Sequence, residues 1–326
     1  MEPLKLKPAF QEYLWGGTKL RDEFGKESSL ERIAESWELS CHPAGLTTVA
    51  NSVNKAQTLR SYLEQDWDAN VGEGAAGYST FPVMIKLIDA AQDLSVQVHP
   101  DDRYAREHEN AENGKTECWY VVDCDEGAVL AYGFNRELTK EEFRSAIASG
   151  TLMDYIRLVP VHKGDVFFIE AGTLHAIGAG MVIAEIQQTS NLTYRVYDYD
   201  RVDKDGKPRE LHIEKALDVT KTWAAPPRMK RPPTKFEGYT AAEIADCPYF
   251  TVTELKITGE AKFPASNGTS YTHLLCTEGD AVLIYEDGVA MPIAKGESVF
   301  LPAAFGAYSI CSKGCTILKT QTLPRK

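Results

Sequence analysis

The spacing of apolar positions changes along this chain. Up to residue 80, short apolar runs mix with polar stretches. "TLRSYLEQD" places Leu59, Tyr62 and Leu63 at helical spacing behind Thr58, which predicts a helix with a threonine cap. From Phe81 the period becomes two. "VMIKLIDA", "LSVQVHP", "WYVVDC", "AVLAYG", "DVFFIEAG", "MVIAEIQQ" and "LTYRVYDYD" are short, β-branched or aromatic, and separated by Gly, Asp or Pro. Such segments are strands, and many of them imply a β-sandwich or barrel. One helical insertion is expected at "TKEE", Thr139 to Glu142, where capping-box spacing precedes Phe143, Ile147 and Leu152.

Two later segments echo earlier ones. "DEGAVLAYG" is matched by "EGDAVLIYEDG", and "KGDVFFIEAGTLHAIG" by "KGESVFLPAAFGAYSI". The chain therefore reads as a β-module and a degenerate second copy. Between them, "AAPPRMKRPPTK" is rich in Pro and basic residues and reads as a linker. The expected division is 1–225, a linker at 226–235, and 236–326. In the echo, Ala307 stands where the first copy has His175, so nothing held through His175 is held in the second module.

One strand is unusual. In "LSVQVHPDD", Ser95, Gln97 and His99 share one face, while Leu94, Val96 and Val98 take the other. Glu117 leads the next strand, "ECWYVV", with Trp119 and Val121 on its face. His175 follows a glycine turn in "AGTLHAIG". Two imidazoles and a carboxylate, with the Gln97 amide as a possible fourth ligand, suit a catalytic Zn²⁺ or Fe²⁺. On that reading the polar strand face lines a cavity. Arg195 shares a face with Thr193 and Tyr197, and an inward arginine needs an anion or a structural acid nearby. Glu185 alternates with Ile183 and Gln187, as a polar wall residue would. Lys115 falls in a polar loop. His42, His108, His162, His212 and His273 have no such context and read as structural or surface residues. The acids of "EQDWD" and "DKDGKPRE" read as solvated faces and turns.

Composition narrows the function. The 326 residues are 43% hydrophobic and carry a net charge of −12. That charge argues against nucleic-acid binding, but a local cluster of basic residues can still hold a small anion. The N-terminus shows no secretory apolar core, and no apolar run is long enough to span a membrane. A cytoplasmic protein that binds neither membrane nor nucleic acid is expected, as a monomer or homodimer. The seven cysteines, at 41, 118, 124, 247, 276, 311 and 315, include no CxxC pair and read as reduced thiols. Cys311 and Cys315 could form only a metal half-site.

The segment Gly164 to His175 fits G-x5-E-A-G-x2-H and resembles the second cupin motif, with Glu170 where proline is usual. "QVHPDD", "GKTECWYV", "AGTLHAIG" and "TYRVYDYDR", with "YLWGG" and "AESWELS", resemble type I mannose-6-phosphate isomerases of the short bacterial form. The resemblance runs through most of residues 8–220 and more loosely beyond. It implies a mainly β fold of two cupin-type barrel or jelly-roll modules, with the helical insertion in the first and no metal in the second. It also implies one Zn²⁺ on Gln97, His99, Glu117 and His175, with Arg195 as the catalytic arginine. Lys115 and Ser95 would contact the substrate at its phosphate. Glu185 would be a further active-site carboxylate, and Trp15 and Glu35 would line the pocket.

The activity so implied is interconversion of mannose 6-phosphate and fructose 6-phosphate through an enediol(ate). Such chemistry needs a base for the α-proton and a cation for the developing oxyanion. The sequence leaves the base open among Glu185, Lys115 and a water. Two alternatives remain at this stage. One is a cupin Fe²⁺ dioxygenase. The other is a non-catalytic sugar-binding cupin.

Overall fold

The structure is a computed structural model describing residues 1–51, 54–110, 112–202, 206–225 and 232–325. It is mainly β, and its sheets pack as two sandwiches. In the first, a six-stranded sheet runs Val166–Ile169, Glu117–Cys124, Met181–Gln188, Val83–Ala90, Glu35–Leu39, Ala9–Gln11. It faces a five-stranded sheet ordered Tyr194–Tyr197, Val96–Val98, His175–Ala176, Val129–Phe134, Ile156–Pro160. The second sandwich pairs an eight-stranded sheet, which contains Thr251–Ile257, Cys315–Gln321, Thr272–Gly279 and Ser298–Leu301, with a four-stranded one.

The period-two alternation explains how the layers stack. In Met181–Gln188, Ile183 packs inside the first sandwich with Trp119 and Val121. Its neighbours Val182, Ala184 and Ile186 pack with Val252, Leu275, Phe300 and Leu318 of the second module. Both faces of the six-stranded sheet are therefore covered. Strands Val83–Ala90 and Met181–Gln188 are buried at every position as a result. Fully burying one aliphatic side chain contributes about 1.5–3 kcal/mol, so this shared core joins the modules firmly.

Two helices cover the outer face of the five-stranded sheet. Thr139 and Glu142 form the expected capping box at the start of Lys140–Ala148. Phe143 of this helix and Leu217 of Ile213–Val219 pack on Val96, Val98 and Tyr194. Thr58 caps Leu59–Leu63 as the spacing predicts. No described helix is long and apolar enough to cross a membrane.

Several local expectations change. Leu4–Lys7 pairs with Ser298–Leu301 on one side and Thr48–Val49 on the other, so two short strands from the start of the chain extend the sheet of the second module. Much of the expected linker, 226–231, lies outside the described residues, as do 203–205 of "DKDGKPRE". The linker's last two residues, Thr234 and Lys235, already belong to a strand paired with Tyr239–Asp246. Leu152 sits in a separate 3-10 turn, because the inserted helix ends at Ala148. Leu94 packs inside the first sandwich whereas Val96 and Val98 pack outside it, since regular alternation starts only at Val96. All seven cysteines are free.

Candidate metal centre

Strand register assembles the site. His175 and Arg195 are the two cross-strand partners of Gln97, which sets His175, Gln97 and Arg195 in one row. In the opposing sheet a second row crosses three strands, with Trp119 opposite Glu185 and Glu185 opposite Lys86. Glu117 pairs with Gln187 one pleat along. Polar faces that look isolated in sequence thus meet inside the sandwich.

His99 lies just past its strand, and its position is fixed by the turn that leads to His175. The Gly172 N–H donates to His99 O over 2.8 Å. Gly172 has φ +86°, and a Cβ there would lie 2.7 Å from Val219 O, so the turn needs glycine. Glu170, in the usual proline place, is on the outside of this turn and pairs with Lys221 at 2.9 Å.

Both imidazoles have a defined tautomer. Their Nδ1–H groups donate to carbonyls, His99 to Leu192 O at 2.7 Å and His175 to Thr173 O at 2.9 Å. A carbonyl only accepts, so each Nε2 carries a lone pair. These lone pairs face Glu117 Oε1, at 3.0 Å from His99 and 3.3 Å from His175. That oxygen is buried and has no hydrogen-bond donor. Among the described residues, His99, Glu117 and His175 form the one cluster with metal-ligand geometry. The Gln97 amide lies 3.5 Å from His175 Nε2, and turning it over presents its oxygen to the same point. Three lone pairs converging in a buried space fit a divalent cation. Burial, then Lys115 and His175, hold the His99 pKa well below the ordinary value, and burial lowers that of His175. Glu117 is pushed up by burial, but Lys115 and its other partners bring it down to about 2. The Cys311–Cys315 half-site is not completed by any described residue.

Around this point runs a buried chain of charges. Lys115 Nζ lies 3.3 Å from His99 Nε2, 3.1 Å from Glu117 Oε2 and 3.7 Å from Glu185 Oε1. Lys86 Nζ lies 3.3 Å from Glu185 and 3.5 Å from Glu35. Burial opposes the charge of Lys86, but Glu35, Glu185 and Glu117 more than offset this and raise its pKa. Trp119 Nε1 donates to Glu185 Oε2 at 3.0 Å, and Trp37 Nε1 to Glu35 at 2.7 Å. Glu185 Oε1 takes no directed hydrogen bond and faces both ammoniums, Lys86 at 3.3 Å and Lys115 at 3.7 Å. Three carboxylates against two ammoniums leave one negative charge in excess, which favours an added cation.

Arg195 and Ser95 lie beside the cluster, and Trp15 lies in a cavity of its own. Arg195 Nε donates to Ser95 Oγ at 3.3 Å, and its Nη1 to Glu210 O at 2.9 Å. Burial, then repulsion from Arg209, lowers the Arg195 pKa. Trp15 lines a cavity of about 640 Å³ with Tyr13, the guanidiniums of Arg32, Arg201 and Arg209, and the carboxylates of Glu12 and Glu31. Lys115, expected at a phosphate, is buried at the inner, metal-ligand end.

Sequence reasoning passed over three residues. Lys86 sits mid-strand in "VMIKLIDA", where a lysine in an apolar run is itself a signal. Arg201 and Arg209 converge on Asp198, and a carboxylate flanked by two guanidiniums leaves a net positive charge. His212, read as structural, accepts the Arg195 backbone N–H at 3.2 Å. The other four histidines set aside earlier do not join the metal-ligand cluster.

Fold and site together describe a two-module cupin with a candidate mononuclear metal centre. The chain belongs to the type I phosphomannose isomerase family. It matches the family's catalytic domain over residues 4–124 and the mannose-6-phosphate isomerase cupin domain over 240–320. It is 39% identical to the mannose-6-phosphate isomerase ManA of Bacillus subtilis over 309 residues, 95% of this chain and 96% of that one. It is also 39% identical to the mannose-6-phosphate isomerase of Streptococcus mutans, over 92% of each. A crystal structure of the mannose 6-phosphate isomerase from Bacillus subtilis superposes with a TM-score of 0.91 at 38% identity, covering 98% of this chain and 99% of that one.

Proposed function

We propose that this chain interconverts mannose 6-phosphate and fructose 6-phosphate through an enediol(ate), with one Zn²⁺ held by Gln97, His99, Glu117 and His175. The observation that carries this reading is the row His175, Gln97, Arg195. It sets an always-charged guanidinium beside the metal-ligand cluster, in a chain of this family. When bound, the cation supplies a Lewis acid that polarises the oxygens on C1 and C2. The Arg195 guanidinium, held by Ser95 and Glu210, stabilises the charge that develops on the enediolate oxygen.

The geometry favours Glu185 as the group that carries the proton between C1 and C2. Trp119 fixes its Oε2, while Oε1 makes ion pairs but no directed hydrogen bond and can take the α-proton. Lys86 and Lys115 lie against it and counter its charge. Lys115 then serves the reacting end, and the phosphate is assigned to Arg201 and Arg209, which line the outer cavity. Binding energy from that remote group can be used for positioning. An iron dioxygenase would suit a largely apolar pocket, and the buried charges around Glu185 run against that.

Turnover of mannose 6-phosphate in deuterium oxide tests the reading. Fructose 6-phosphate should form with deuterium in at least part of the product, and Glu185→Gln should abolish both. No product, or product wholly free of deuterium, would contradict it.

A further inference from the structure

The second module carries its own cavity, of about 240 Å³, at the end of its sandwich. Register places this cavity where the first module has its metal centre. Glu185 pairs with Trp119 and lies one pleat from Gln187, which pairs with Glu117. In the second module, Lys319 pairs with Leu274 and lies one pleat from Gln321, at the level of Thr272. The adjoining strand agrees. Ile169 pairs with Glu117, and Leu301 pairs with Thr272, at the spacing of the "KGDVFFI" and "KGESVFL" echo. Hence Lys319 occupies the place of Glu185, Thr272 that of Glu117, and Gln321 that of Gln187.

The chemistry at this place is inverted. No carboxylate lines the cavity, and no ion pair involving Lys319 is found among the described residues. Its ammonium lies 5.5 Å from the centre of the Phe263 ring. Phe263 stacks on Tyr308, with centroids 5.0 Å apart, and Phe305 packs against Tyr308. Gln321 Nε2 donates to Thr272 Oγ1 at 3.1 Å. A lysine reaching along apolar surface to solvent needs no ligand. Here, however, the ammonium lines a concave wall with amide and hydroxyl groups beside it, and aromatic faces enclose the other side. A cation without a counter-charge, a few polar groups and an aromatic wall are what a small anionic ligand requires.

We infer that the second module has exchanged its metal site for a binding pocket that takes a small anionic sugar, a sugar phosphate or a sugar acid, on Lys319, Thr272 and Gln321 against Phe263 and Tyr308. The anion would meet Lys319, and the sugar ring would lie against the aromatic wall.

Calorimetric titration of the zinc-loaded full chain tests this. The probes are 2-deoxyglucose 6-phosphate, which lacks the hydroxyl that isomerisation needs, glucuronate and glucose. Wild type should bind one or both anionic sugars at two sites per chain, and glucose far more weakly. Lys319→Met should weaken one of the two events at least tenfold and leave turnover of mannose 6-phosphate unchanged. The phosphate and glucuronate arms decide between ester and acid. Lys319→Met relieves an unpaired cation and should fold, with a melting temperature no lower than that of wild type. Gln321→Leu provides a second variant with the same expected loss. Isotherms that are identical in wild type and both variants, or glucose binding as tightly as the anions, would overturn the inference.

Discussion

Arg195 is the direct cross-strand partner of Gln97, so a guanidinium and an amide that borders the candidate metal cluster are set side by side by the register of two short strands. A one-residue slip of the Arg195 strand would turn its guanidinium away from the cavity. Ser95, one pleat before Gln97, orients Arg195 through its Nε. Replacing Arg195 with Ala should lower kcat by roughly a hundredfold or more, since a group aimed at a developing oxyanion contributes about 3–4 kcal/mol. Arg195→Lys should recover only part of this, because the ammonium cannot bond two oxygens in a plane. Ser95→Ala should have a smaller effect on kcat. Steady-state kinetics on the three variants check the order.

Glu117 supplies the oxygen on which both imidazoles converge. Glu117→Gln should lose the metal, read by elemental analysis of the purified protein. Removing the metal from wild type should also lower its melting temperature, because a ligand at a hundred times its Kd stabilises a fold by about 2.7 kcal/mol. Adding a chelator to Glu117→Gln should change little further.

Arg201 and Arg209 share Asp198 at the outer cavity. Arg209→Met should raise KM for mannose 6-phosphate about tenfold or more. Free mannose, which lacks the phosphate, should be a poor substrate and be unaffected by the same change. An equal loss with both substrates would place Arg209 in the scaffold instead.

Much of this arrangement is written in the chain as alternation. Ser95, Gln97 and His99 announce a polar interior face. Glu117 and Glu185 each share a face with apolar residues that prove to line the first sandwich. The echo of "KGDVFFI" by "KGESVFL" also matches the observed register of the two modules. Other parts were hidden for physical reasons. Lys86 sits in a strand buried on both faces, where period two disappears and the lysine reads as an interruption. Arg209 lies in a segment that reads as a solvated turn until the fold brings it back onto Asp198. Leu4–Lys7 joins a sheet formed almost 300 residues later, a pairing that no local pattern encodes.

His273 tests the core shared by the two modules. It is fully buried beside Ser298, and burial lowers its pKa to about 3. The unfolded chain binds this proton near pH 6.5 while the folded chain resists it. The associated stability is therefore complete above pH 6.5 and is lost as pH falls from there towards 3, by about 1.4 kcal/mol per pH unit. In metal-free protein, His273→Gln should show a shallower fall in melting temperature between pH 6.5 and 5 than wild type. Parallel curves would contradict this.

The most direct test of the account is conversion of mannose 6-phosphate to fructose 6-phosphate by the protein as purified, after chelation, and after adding back Zn²⁺. Activity should disappear with the chelator and return with Zn²⁺. Absence of turnover with the metal shown to be bound at His99, Glu117 and His175, or full activity after the metal is gone, would contradict it.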